Sequence, residues 1–129
     1  MKSQITNGVK ISVETLYQAV YSNPLVDHYV FSYDITIENL KTSVIRLMRR
    51  HWFIEDSIGE SYEVEGEGVI GMTPVIYPGK SHSYQSGCNF KSTSGKMSGS
   101  YLMIDLDNEL EFSVKIPEFV MAVPEIFLK

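Results

Sequence analysis

An antiparallel β-sandwich is the fold the sequence predicts, and three observations predict it. Apolar residues occupy alternate positions in several stretches, most clearly where Tyr29, Phe31, Tyr33, Ile35 and Ile37 alternate with Val30, Ser32, Asp34, Thr36 and Glu38, the period of two that marks a half-buried strand. Turn-forming pairs, among them Asn23-Pro24, Pro78-Gly79 and Asp107-Asn108, cut the chain at short intervals. No segment of convincing length repeats at the helical period. With 129 residues, 43% hydrophobic and 21% charged, the chain is long enough for one self-sufficient core and too apolar for a disordered or low-complexity segment.

The elements follow in order. Val9, Ile11 and Val13 open the first strand. Residues 14–20 could close a helical turn and a half through Leu16, Ala19 and Val20, but seven residues are too few to hold a helix, so the stretch is read as extended. Tyr29 to Glu38 is the clearest strand, Asn39 to Ser43 a polar break, and Val44 to Glu55 a third strand long enough to cross a sheet. Ser57 to Glu60 reads as a turn, Tyr62 to Glu67 as a short strand, and Gly66 to Gly71 as a bend or a run of positive φ. Val75-Ile76-Tyr77 leads into Pro78-Gly79, followed by His82 to Ser86, with Gly87, Gly95 and Gly99 punctuating what comes next. Tyr101, Met103 and Asp105 form one face of a strand that stops at Asp107-Asn108, and Leu110, Phe112, Val114 and Ile116 alternate up to Pro117. Seven or eight short strands with no long helix suggest a sandwich. No linker, composition shift or internal repeat divides residues 1–129, so a single domain is expected.

Charge and cysteine content narrow the functional classes. Sixteen acidic against eleven basic residues give a net charge of -5, which argues against nucleic acid or anionic membranes as general partners. No apolar run approaches the ~20 residues of a membrane span, and Met1 to Lys10 lacks the apolar stretch of a secretory signal, so no membrane span and a cytoplasmic location are expected. The single Cys88 excludes an internal disulfide and a multi-cysteine metal site. A lone cysteine is read as a small buried apolar residue rather than a reactive thiol.

Three clusters could carry chemistry. Gly66-Glu67-Gly68-Val69-Ile70-Gly71 satisfies the G-x-G-x-x-G string of dinucleotide-binding turns, but that string binds pyrophosphate at a helix amino terminus, and strand-like Val75-Ile76-Tyr77 follows instead. Gly66, Gly68 and Gly71 are therefore read as a structural bend, with an anion-binding loop as the functional alternative. Glu63, Glu65 and Glu67 would share one face of a strand, a solvated row or a weak metal site without converging ligands. Arg46, Arg49, Arg50 and His51 make a basic patch before the only tryptophan, Trp52. On a strand, Met48, Arg50, Trp52 and Ile54 share a face, which predicts a core tryptophan with Arg50 held at its margin by a carboxylate or carbonyls; the alternative is a partner-binding surface at Arg50 and His51. Enzyme templates fail: there is no G-x-S-x-G or H-E-x-x-H, Ser94-Gly95-Lys96-Met97 is no P-loop, and His28, His51 and His82 lack ligand spacing. No catalytic residue and no cofactor are expected.

Several stretches together resemble the ApaG family, small bacterial proteins whose domain also occurs in certain eukaryotic F-box proteins and in a polymerase-interacting protein. They include Tyr29-Val30-Phe31, Ile35 to Leu40, Arg50-His51-Trp52, Glu65 to Gly71, Pro74, Pro78-Gly79 and Tyr84. Ser86-Gly87-Cys88, Gly99-Ser100-Tyr101 with Met103, Ile116-Pro117 with Phe119, and Ala122-Val123-Pro124 extend the match over nearly the whole chain. Where the family often has arginine after the phenylalanine near the end, this chain has Val120. The resemblance implies an immunoglobulin/fibronectin type III-like sandwich and no defined reaction. It also brings an association with cobalt and magnesium efflux, read as indirect because no membrane span is present to form a transporter. The expected function is a non-catalytic binding module for an unidentified protein partner, with homo-oligomerisation left open. The alternative is a binder of pyrophosphate, nucleotide or a divalent cation through the Gly66 to Gly71 loop and its Glu and Arg neighbours.

Overall fold

The computed structural model describes residues 1–128, in which nine strands run in chain order as β1 (Lys2–Thr6), β2 (Val9–Tyr17), β3 (Tyr29–Asn39), β4 (Ile45–Asp56), β5 (Ser61–Glu67), β6 (Val75–Ile76), β7 (Ser81–Phe90), β8 (Ser94–Asp105) and β9 (Glu111–Ala122). One sheet has the order β1-β2-β3-β7; the other has the order β5-β4-β8-β9, with β6 pairing the start of β4. Every strand pair is antiparallel. The two sheets face each other as a sandwich, as expected. No helix among the described residues is long and apolar enough to cross a membrane.

Four elements differ from expectation. β1 precedes the first expected strand and joins β2 through Asn7-Gly8, where φ is 50° and 78° and Thr6 pairs with Val9, the two-residue turn that right-twisted hairpins favour. Residues 14–20 are extended only to Tyr17, after which Ala19–Tyr21 closes a single 3-10 turn. Gly95 and Gly99 lie inside β8 rather than breaking it. β9 runs through Pro117 to Ala122, because a proline on an edge strand at a bulge removes no ladder hydrogen bond.

Two bulges set which side chains face the core. In β4, Leu47 pairs with Met103 but Arg49 pairs with Leu102, leaving Met48 as the extra residue. Ile45 and Leu47 are buried before it, and Trp52, Ile54 and Asp56 after it, so the inward set passes from odd to even numbers. In β9, Gly99 faces Ile116 while Met97 faces Phe119, which inserts one residue around Pro117. Buried Val114 and Ile116 there give way to buried Phe119, Met121 and Val123. A pleated strand alternates faces strictly, so one inserted residue inverts everything beyond it.

Trp52 sits at the centre, 3% exposed. Its ring centroid lies 5.5 Å from Tyr33 in the facing sheet, 6.0 Å from Phe119 and 6.5 Å from Tyr101, so one aromatic cluster spans both layers. The buried polar residues Asn39, Asp56 and Asp105 are satisfied locally. Asn39, fully buried, donates to the carbonyls of Ser43 (2.9 Å) and Ile76 (3.0 Å) and accepts from Lys41 N–H at 2.9 Å, tying the end of β3 to β6 across the layers.

Candidate functional site

Alternation along β4 divides the basic patch. Arg50 faces inward with Trp52 and Ile54, whereas His51 faces outward, so the two do not form one surface. The Glu row is outward as well: β5 pairs antiparallel with β4, setting Glu65 opposite His51 and Gly66 opposite Arg50.

Arg50 explains the glycine string. A Cβ on Gly66 would lie 2.7 Å from Arg50 Nη2 and 2.8 Å from Nη1, so the guanidinium rests in the space that glycine leaves. Nη1 then donates to the carbonyls of Glu67 (2.9 Å) and Gly68 (3.1 Å). Gly68 has φ of 63°, and a Cβ there would fall 2.1 Å from the Met72 carbonyl oxygen; Gly71 has φ of 72° at the tight turn. Amides on both sides of the turn are engaged within the fold, since Gly68 N–H donates to Met48 O (2.8 Å), Val69 N–H to Met72 O (2.8 Å) and Met72 N–H to Val69 O (3.0 Å). The turn leads into β6 and no helix, so it lacks the dipole that gives the dinucleotide motif its affinity.

On the outer face, His51 Nε2 lies 2.9 Å from Glu63 and Nδ1 lies 3.1 Å from Glu65. These three side chains are the group among the described residues whose donor atoms come close enough to share a cation. Each imidazole nitrogen already faces its own carboxylate and both glutamates are exposed, so the arrangement is an open surface cluster more than a shaped metal cage. Glu67 stands apart from it, contributing its backbone carbonyl to Arg50.

Beside Arg50 the sandwich opens into a cavity of about 320 Å³ between β4, β5 and the turn on one side and β7 on the other, its mouth at exposed Ile70 and Gly71. Tyr84, Ser86 and Cys88, the inner row of β7, form one wall, and Trp52, Val64 and Met97 contribute to the other. Burial pushes the Cys88 thiol up to about 12, so it is protonated and unreactive at neutral pH. Burial likewise raises the phenols of Tyr33, Tyr84 and Tyr101, and the Tyr84 and Tyr101 hydroxyls bond to each other. These hydroxyls therefore remain neutral. The inner row of β7 went unnoticed as a site in the sequence, although the alternation of His82, Tyr84, Ser86 and Cys88 marks which residues share that face.

Comparison with known proteins follows the same outline. The sequence model of the ApaG domain matches residues 19–105. Protein ApaG of Nitrosomonas eutropha is 42% identical over 126 residues, covering 98% of both chains, and Protein ApaG of Shewanella halifaxensis is 44% identical over 122 residues, covering 95% of this chain and 96% of its own. A crystal structure of a Bordetella pertussis protein designated ApaA superposes with a TM-score of 0.87 at 35% identity, covering 90% of this chain and 94% of its own.

Proposed function

The chain belongs to the ApaG family, and from that premise we propose that it is a non-catalytic binding module that takes an extended segment of another protein onto the free edge of β7. The observation that carries this reading is the contrast among the sheet edges. β5 bears Glu63, Glu65 and Glu67, β9 bears Glu111, Lys115, Glu118 and Pro117, and β1 bears Lys2. Charges and prolines are the devices by which edge strands avoid pairing with other chains. β7 ends its sheet beside β3, runs ten residues without a register shift, and contains no Lys, Arg, Asp, Glu or Pro. Its unpaired amides and carbonyls are thus open to a partner strand, and the partner segment that fits is uncharged opposite β7.

The absence of a catalytic constellation in the sequence, with a protonated Cys88, supports binding over chemistry. The cobalt and magnesium association carried by the family resemblance is read as indirect, and residues 1–129 as one binding unit acting in the cytoplasm. The test compares the wild-type protein with a Ser83→Lys/Gln85→Lys variant in affinity capture from native cell extract, followed by hydrogen exchange on the complex. The expected result is a captured protein that slows exchange of the Ser81–Phe90 amides and is lost in the variant. A partner retained by the variant, or protection confined to another edge, would overturn the reading.

A further inference from the structure

Arg50 is the single charged side chain in the lining of the cavity between the sheets. Among the described residues no carboxylate comes within ion-pair distance of it. Nη1 is committed to the carbonyls of Glu67 and Gly68, which leaves the Nε and Nη2 edge, the edge that meets a carboxylate with two parallel N–H bonds. The neutral hydroxyls of Ser86 and Tyr84 line the same space, and Trp52, Val64 and Met97 supply apolar wall. A half-buried guanidinium held in place without a counter-ion favours an anion. One cation among apolar walls suits a single negative charge on an apolar body better than a pyrophosphate.

We propose that this cavity is a binding site for a compact molecule with an apolar body and one carboxylate, the carboxylate on Arg50 and the body against Trp52 and Met97. At about 320 Å³ the cavity stands at the small end of ligand pockets, which fits one ring or a short branched chain. Such chemistry comes from a free organic acid or from the carboxyl end of a polypeptide whose last residue is apolar. The turn at Ile70-Gly71 and residues Ser86-Gly87 of β7 both belong to the lining, so a chain end reaching the cavity would pass along the β7 edge.

The experiment titrates the wild-type protein with 3-phenylpropionate, 3-phenylpropionamide, pyrophosphate and an N-acetyl tetrapeptide ending in phenylalanine with a free carboxyl group, following the Trp52 indole and the Ser86 and Gly87 amides by NMR. The acid is expected to shift these resonances and to bind about tenfold or more tightly than the amide, with pyrophosphate leaving them unmoved. A tetrapeptide that binds about tenfold more tightly than phenylpropionate assigns the site to chain ends; equal affinities assign it to free acids. Arg50→Gln should bring acid and amide to the same affinity. Because that variant also releases the Gly68 turn, the comparison of acid with amide on wild-type protein decides the matter. Equal binding of the two, shifts elsewhere, or no binding of either by wild type would overturn the proposal. Strand addition on β7 is tested separately by the lysine variant, which leaves Arg50 and the cavity walls in place, so either proposal can fail alone.

Discussion

Arg50 and Gly66 face each other across the β4–β5 ladder, and the guanidinium fills the space of the missing side chain, with Nη2 2.7 Å from where a Cβ would stand. Gly66→Ala must displace the guanidinium and break its bonds to the Glu67 and Gly68 carbonyls. A loss of about 1–3 kcal/mol is expected in denaturant unfolding. Arg50→Ala removes the same bonds, so the double variant should lose less than the sum of the two single losses. Strict additivity would show that the two residues act independently.

Gly68 and Gly71 both have positive φ, but only Gly68 is crowded. A Cβ at Gly68 meets the Met72 carbonyl at 2.1 Å, whereas nothing lies within 4 Å of one at Gly71. Gly71→Ala should cost about 1 kcal/mol from backbone strain alone, and Gly68→Ala at least about 1 kcal/mol more. Equal losses in the two melting curves would contradict the crowding.

Trp52 is the only tryptophan, which makes the core directly observable. It should emit at short wavelength and resist iodide until the protein unfolds. Trp52→Ala opens a void among Tyr33, Tyr101 and Phe119, with an expected loss of about 3–5 kcal/mol, enough to unfold much of a marginally stable domain.

Two carboxylates give the fold an acid limit. Burial pushes Asp56 up, but hydrogen bonds from Ser92, Lys91 N–H and Ile58 N–H outweigh it and hold the group below its ordinary 3.8. The Ser43 hydroxyl at 2.6 Å, helped by the Asp107 amide and the Lys41 charge against a smaller burial effect, does the same for Asp105. Folded values lower than unfolded ones stabilise the fold fully above the unfolded pKa of about 4, and that stability disappears as pH falls through the folded values. Melting temperature should therefore be flat in this respect above about pH 5 and fall below pH 4. Asp56→Asn should make that acid fall shallower; an unchanged slope would remove Asp56 from the account.

His51, Glu63 and Glu65 should bind divalent cobalt only at millimolar concentration, because the two carboxylates come from one exposed strand and the imidazole already pairs with both. Titration monitored at the His51 ring protons measures this. A stoichiometric sub-micromolar site abolished by Glu63→Gln would sink the expectation.

Most of the sandwich was legible because period-two alternation is a local signal, and β3 with its five inward residues shows it without interruption. β1 escaped because four of its five residues are exposed and its only signature is the Asn7-Gly8 turn. The end of β9 escaped because Pro117 normally stops a strand, and only an edge position with a bulge admits it. The candidate site was half legible. Trp52 in the core with Arg50 held by carbonyls at its margin follows from strand parity after Met48, and the outward turn of His51 follows from the same parity, yet neighbouring numbers invite grouping them. What Gly66 is for could not be read from the chain, since the guanidinium above it belongs to a residue sixteen positions earlier in sequence and directly opposite in the sheet. The cavity depends on β7 facing β5 across the layers, a relation no local pattern encodes.

The extra residues at Met48 and Pro117 act on the inside-outside pattern as a frameshift acts on codons. Excising Met48 itself would join Leu47 to Arg49 and restore strict alternation, with Leu47, Arg50 and Trp52 still facing inward. Excising His51 with the bulge kept would instead turn Trp52 and Ile54 to solvent while every remaining residue kept its chemical identity. The strands on either side of β8 each carry such a shift. For this domain, then, a single-residue deletion in β4 or β9 away from the bulge is a graver edit than several conservative substitutions, whereas a deletion of the bulge residue leaves the inside-outside pattern in phase.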